Sequence, residues 1–144
     1  MIDCIFTGDI MPGARRVDEV PDPGLLGHFK EADLVVGNLE CPIVSEPPAV
    51  MDTRKIPLWS DAANLPILTS FGFTHVSMNN NHIFDLFEKG LDETQGLLDN
   101  AGIGAFGIDY GVLSQYRRVS VKGITLGMAA VNWVETRFCG HLSR

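Results

Sequence analysis

Three short apolar runs in this chain end in polar residues of the kind that hold metals and move protons. Ile2 to Thr7 runs into Gly8-Asp9, Ala32 to Gly37 into Asn38-Leu39-Glu40, and Thr74 to Met78 into Asn79-Asn80-Asn81-His82. Each run has strand length and composition. If the three strands lie parallel in one sheet, their carboxyl ends gather Asp9, Asn38, Glu40, Asn81 and His82 at one edge, where open α/β sheets bind ligands. Carboxylate and amide oxygens with an imidazole make a mixed oxygen and nitrogen donor set. That set suits Mn²⁺, Fe²⁺ or Zn²⁺ better than a soft, thiolate-binding metal. A carboxylate can bridge two such ions, and a paired-metal site clamps both oxygens of a phosphoryl displacement. Each cluster also has a plain reading. Gly-Asp after a strand makes a turn or a helix cap, and Asn tolerates left-handed backbone. The functional reading rests on one arrangement recurring at three strand ends.

The elements that must position these residues follow from pattern. A short helix is expected over Leu25 to Lys30, and a long functional loop over residues 43–60, where Pro47, Pro48 and Pro57 break any periodicity. Leu65, Leu68 and Phe71 recur at helical spacing before the stop at Gly72, and Pro66 places the start of that helix near Asn64. Gly90 to Asn100 is the strongest helix, with Leu91, Thr94, Leu97 and Leu98 on one face and Gly102 at its stop. Ile103 to Ile108 reads as a fourth strand. Tyr116 to Val121, a Lys122-Gly123 turn and Ile124 to Val131 read as an antiparallel hairpin. Strands alternating with helices predict an α/β sheet covered by helices.

Composition narrows the function classes. The 144 residues fit one domain, and 45% hydrophobic with 20% charged residues is globular composition. Eleven Lys and Arg against 18 Asp and Glu leave a net charge of −7. So acidic a chain lacks the footprint of a nucleic-acid binder, which must neutralise phosphates, and of a polybasic membrane-surface protein. No apolar stretch approaches the ~20 residues of a membrane span, so no membrane insertion is expected. No basic and apolar leader opens the chain. Cys4, Cys41 and Cys139 are odd in number and lack a CxxC pair, so neither a disulfide framework nor a zinc knuckle is expected. A cytoplasmic location is the default. Arg15-Arg16, Arg54-Lys55 and Arg117-Arg118 are the basic clusters.

Taken together, Thr7-Gly8-Asp9-Ile10-Met11, Ala32 through Pro42 (ADLVVGNLECP) and Gly72 through Asp85 (GFTHVSMNNNHIFD) resemble the bacterial capsule and poly-γ-glutamate biosynthesis proteins, the CapA family. Gly90 to Thr94 and Ala101 to Gly107 fit as well, so the resemblance covers roughly residues 2–131. That family is similar to the calcineurin-like metallophosphoesterases. The resemblance implies a layered α/β/β/α fold with two divalent metals at the strand ends, and hydrolysis or transfer at a phosphoester or a polymer amide. It implies Asp9 as a ligand of the first metal, Glu40, with or without Asn38, at the bridging position, and Asn81 on the second metal. His82 then sits by the scissile oxygen as general acid or hydrogen-bond donor. Asp85 either orients His82 or caps a helix. Met11 stands where the wider superfamily carries a histidine. The relatives continue well past this length, so the chain looks like the N-terminal half of such a domain.

Three outcomes follow from that length: a truncated chain, a homodimer that covers an exposed sheet face, or a compact reduced domain. Of the remaining histidines, His75 is expected to pack in the core, His28 to lie on the surface and His141 near the terminus. Trp133 and Phe138 are expected to be packing residues. The substrate implied is an anionic polymer or a phosphoester, and the family implies a role at the cell envelope. The alternatives to an enzyme are a non-catalytic accessory in polymer assembly or export, and an inactive fragment.

Overall fold

The computed structural model describes residues 1–14, 22–46, 56–109 and 115–132. Four strands, β1 (Cys4–Ile10), β2 (Leu34–Leu39), β5 (His75–Ser77) and β6 (Gly104–Phe106), form one sheet in the order β1-β2-β5-β6. All three pairings are parallel. Helices α1 (Pro23–Glu31), α2 (Leu65–Phe71) and α3 (Phe87–Asn100) make the crossovers that parallel strands require. The fold is α/β.

Each helix carries its own punctuation. Asp22 caps α1, its side chain accepting from Leu25 N at 2.9 Å. Pro66 sits in the first turn of α2, where the missing N–H costs nothing, and a single 3-10 turn (Ala62–Asn64) precedes it. Gly72 ends α2 in the left-handed conformation at φ 78°. Helix α3 begins three residues before the expected Gly90 and buries Gly90, Leu91, Thr94 and Leu98.

One face of the sheet packs against the helices. Leu39, Val76 and Ala105 from the strands meet Leu68 of α2 and Leu91 and Leu98 of α3 in the main core. Phe29, Phe71 and Phe73 join α1 to α2 through ring pairs 5.5–6.4 Å apart. On the other face, Leu34, Val36 and Phe106 pack with Met128 of a β-hairpin, β7 (Tyr116–Val121) and β8 (Ile124–Ala129). Its turn has positive φ at both Lys122 (48°) and Gly123 (79°), the geometry that matches the twist of a two-residue hairpin loop. Among the described residues, that hairpin is what faces the sheet where a four-layer arrangement places a second sheet.

Two expectations are corrected. The first strand is not buried and does not stop at Thr7. It is an edge strand, Phe6 is 67% exposed, and the strand runs on to Ile10 with Asp9 inside it. The described part of residues 43–60 is not plain loop. Strands β3 (Ile43–Val44) and β4 (Ser60–Asp61) pair in parallel, and residues 47–55 lie outside the described residues. Thr94 lies on the buried face of α3 with Leu91 and Leu98, as expected, and also pins β3 to α3. Its Oγ1 accepts from Ile43 N at 2.8 Å and lies 2.6 Å from Gly90 O.

The register of β1 sets up the site. Phe6 pairs with Val36, but the next aligned pair is Asp9 with Asn38, so β1 spends one extra residue and bulges at Thr7-Gly8. The bulge folds over Gly37. A Cβ there would collide with Ile10 Cδ1 and come within 2.6 Å of Thr7 Oγ1. Gly37→Ala should therefore push the Ile10 side chain and the Thr7 hydroxyl out of place and destabilise the protein by about 1–3 kcal/mol, the usual cost of overpacking. A denaturant midpoint equal to wild type would show that the bulge is not held this way.

Candidate functional site at the carboxyl edge of the sheet

The bulge brings Asp9 level with Asn38, and Ser77 and Phe106 continue the same row across the sheet. Asn38 Nδ2 donates to Asp9 Oδ1 at 2.7 Å and to Glu40 Oε2 at 2.9 Å. One amide thus sits between two carboxylates. Glu40 stays beside them because its backbone N–H donates to Ile10 O at 3.0 Å, carrying the ladder past the end of β2. Burial holds the Glu40 carboxyl above its ordinary pKa. The charge of Asp9 adds to the rise, against the opposing effects of His82 and of the Asn38 hydrogen bond.

The loop after β5 supplies the other half. Asn79 donates through Nδ2 to Ala130 O at 2.8 Å, tying the loop to the hairpin side. Asn80 is 8% exposed. Its Nδ2 donates to Asn38 Oδ1 (3.1 Å) and Leu39 O (2.7 Å), and its Oδ1 accepts from the backbone N–H of His82 (3.0 Å) and Ile83 (2.9 Å). His82 Nδ1 lies 2.7 Å from Asp85 Oδ2, with the imidazole 19% exposed and the carboxylate fully buried. Asp85 does not cap α3, whose N-cap is Leu86 with no side-chain cap bond. The same Asp85 Oδ2 accepts from Leu58 N at 2.7 Å, which brings the end of the long connection to the histidine. An imidazole that gives its Nδ1 proton to a buried carboxylate presents Nε2 outward, the arrangement of a proton donor or acceptor held in one tautomer.

The chain leaving Asp9 is stapled in turn. Gly13 N donates to Ser60 Oγ (3.0 Å), while Gly13 O accepts from Asp61 N (2.9 Å) and from Nδ2 of buried Asn64 (2.8 Å). Cys41, next to Glu40, packs its Sγ 3.2 Å from Ser60 Oγ. Burial pushes its thiol up to about 11, so it is a packing residue rather than a nucleophile.

Of the six residues singled out in the sequence, the hydrogen-bond chain joins five: Asp9, Asn38 and Glu40 directly, and His82 with Asp85 by way of Asn80. Asn81 lies half-buried in the same loop. Asn80 was missed. The signal was the run of three asparagines, whose individual roles depend on which side of the loop each faces. Among the described residues, no group of three or more His, Cys, Asp and Glu side chains converges closely enough to hold a metal ion. His75 is half-buried on β5, and burial, then Arg117, hold its pKa low. His28 is exposed on α1. Cys4 and Cys41 are free thiols. Arg15, Arg16, Arg54, Lys55, Trp133, Phe138, Cys139 and His141 lie outside the described residues.

Residues 3–141 match the family described as bacterial capsule synthesis protein PGA_cap. The chain belongs to that family. It is also similar to the PGA biosynthesis protein CapA of Bacillus subtilis (strain 168), at 25% identity over 137 residues, which is 88% of this chain and 36% of that protein. The chain thus spans about a third of the length of that curated relative. The matched region holds all three strand-end motifs and the loop that carries His82.

The raised Glu40 pKa has a sign for stability. Above the ordinary carboxyl value of 4.5 the folded chain binds more protons than the unfolded one, so stability falls as pH rises through this window. Glu40→Gln, whose amide oxygen still accepts from Asn38, removes that loss. The metal-free variant should melt higher than wild type at neutral pH, and the difference should vanish as the pH drops below the carboxyl range. Thermal melts across that range decide it; a variant less stable at neutral pH contradicts the assignment.

Proposed function

We propose that the carboxyl edge of the sheet is a divalent-metal site of a hydrolase or transferase acting on a phosphoester or polymer amide in capsule or poly-γ-glutamate biosynthesis. The observation that supports this is the hydrogen-bond chain from two carboxylates, through two amides, to the backbone N–H of His82, whose imidazole is backed by a buried carboxylate. Two like charges converging on one N–H₂ is chemistry that a small cation satisfies better than an amide. Asp9 and Glu40 would hold the cation, with Asn81 offering an amide oxygen; Asn38, whose Nδ2 faces both carboxylates and whose Oδ1 faces Asn80, would join as a ligand only by turning its amide over. Mn²⁺, Fe²⁺ or Zn²⁺ suits these donors, as one ion or two, with further ligands needed beyond the described carboxylates. When bound, such an ion polarises the substrate oxygen and lowers the pKa of a water.

The chain's own residues do the rest. His82 Nε2 donates a proton or hydrogen bond to the leaving oxygen, and Asp85 stabilises the imidazolium that this role requires. Leu58, tethered to Asp85, forms the wall beside it. A net charge of −7 repels a polyanion, so an anionic polymer would be met at the cation. A second reading is a non-catalytic accessory in polymer assembly or export at the cell envelope, which the capsule synthesis family also accommodates. It predicts salt-sensitive polymer binding without turnover. No helix among the described residues is long and apolar enough to cross a membrane.

The test is Mn²⁺ titration of wild type, Asp9→Asn and Glu40→Gln, followed by turnover of a phosphodiester and of poly-γ-glutamate. Both variants should bind Mn²⁺ at least about tenfold more weakly, and His82→Gln should keep the metal while losing about 10²–10⁴ in rate. Chelation should abolish turnover in wild type. Equal Mn²⁺ affinity in all three proteins would sink the metal site, and polymer binding without turnover would favour the accessory role.

A further inference from the structure

We infer that Asn80 is a positioning residue that fixes the polarity of the whole site, setting the direction of the Asn38 amide with one end and the backbone at His82 with the other. The inference rests on reading this edge as the reactive centre. Four hydrogen bonds over-determine the Asn80 amide. Leu39 O can only accept, so the group 2.7 Å from it must be Nδ2. The backbone N–H groups of His82 and Ile83 can only donate, so the atom 3.0 and 2.9 Å from them must be Oδ1. Asn80 therefore cannot turn over without breaking three backbone contacts in a site 8% exposed.

That orientation propagates. Nδ2 of Asn80 also points at Asn38, 3.1 Å away, so Asn38 must offer Oδ1 there. Its Nδ2 is then left facing Asp9 and Glu40. An amide N–H₂ holds the two carboxylates together, as a cation would, and it does so because a residue 42 positions later in the chain has no alternative orientation. Asn80 itself touches neither carboxylate nor the imidazole among its hydrogen bonds. It acts through Asn38 and through the peptide that leads into His82.

Substitution can separate the two ends. Asn80→Asp keeps oxygen acceptors for His82 N and Ile83 N but has no N–H for Asn38 or Leu39. Asn80→Ala loses both ends. In the metal-free protein, Asn80→Asp should move the side-chain N–H₂ resonances of Asn38 while the ¹⁵N shifts that report the His82 tautomer stay at their wild-type values. Asn80→Ala should move both. If Asn80→Ala does not fold, Asn38→Ala reads the same link from the other side, shifting the Asn80 side-chain amide and leaving the His82 ring unmoved. An Asn38 amide unchanged in Asn80→Asp, or a His82 ring perturbed as much as that amide, overturns the inference. Failure of the wild-type protein to bind Mn²⁺ would overturn the metal site alone, because the amide resonances are read without metal.

Discussion

Two carboxylates held against each other at the end of a parallel sheet are the constraint around which this structure is arranged. Asp9, which is exposed, and Glu40, which is half-buried, repel each other, and the charge of Asp9 adds to the rise in the Glu40 pKa. The Asn38 amide opposes it by donating to both. Such a donor is worth having only if it faces the right way. The neighbouring Asn80, clamped by three backbone groups, supplies the direction. Burial, and then the charge of Asp9, still hold the Glu40 carboxyl above its ordinary pKa.

Everything else about the edge serves to bring these groups to one place. The bulge in β1 shifts Asp9 by one residue, and in a strand a one-residue shift decides which face a side chain points to. Gly37 lets the bulge lie flat on β2. Gly13, Ser60 and Asn64 then anchor the chain that leaves Asp9. On the far side, Asp85 joins His82 to Leu58, so the end of the connection between β2 and α2 and the start of α3 meet at one buried carboxylate. Segments remote in sequence share hydrogen bonds here, and Leu58 N and His82 Nδ1 meet at the same Asp85 oxygen.

Membership of the capsule synthesis family and the geometry of this edge bear on different questions. The family places the chain among proteins of capsule synthesis. The geometry shows which side chains lie close enough to cooperate. Among the described residues, the hairpin packs through Met128 on the sheet face opposite the helices, and Phe6 stands exposed on the edge strand.

Much of this was legible in the residues. Apolar runs of strand length followed by polar clusters fixed the α/β class, because a backbone that alternates buried strands with amphipathic helices has few ways to bury both. The hairpin turn at Lys122-Gly123 and the stop at Gly72 were readable because positive φ favours such residues. Candidate residues Asp9, Asn38, Glu40, His82 and Asp85 were nameable from type and spacing. What the sequence could not carry was register and orientation. The bulge depends on what lies opposite β1, and whether Phe6 is buried depends on which strand ends the sheet. The choice of Asn80 over its two neighbours as the link depends on which side of a loop faces Leu39. Thr94 became a pin because β3 happened to pass its hydroxyl. Periodicity records which face of an element is apolar; hydrogen-bond direction is decided by partners distant in the chain, and only the assembled structure brings those partners within reach.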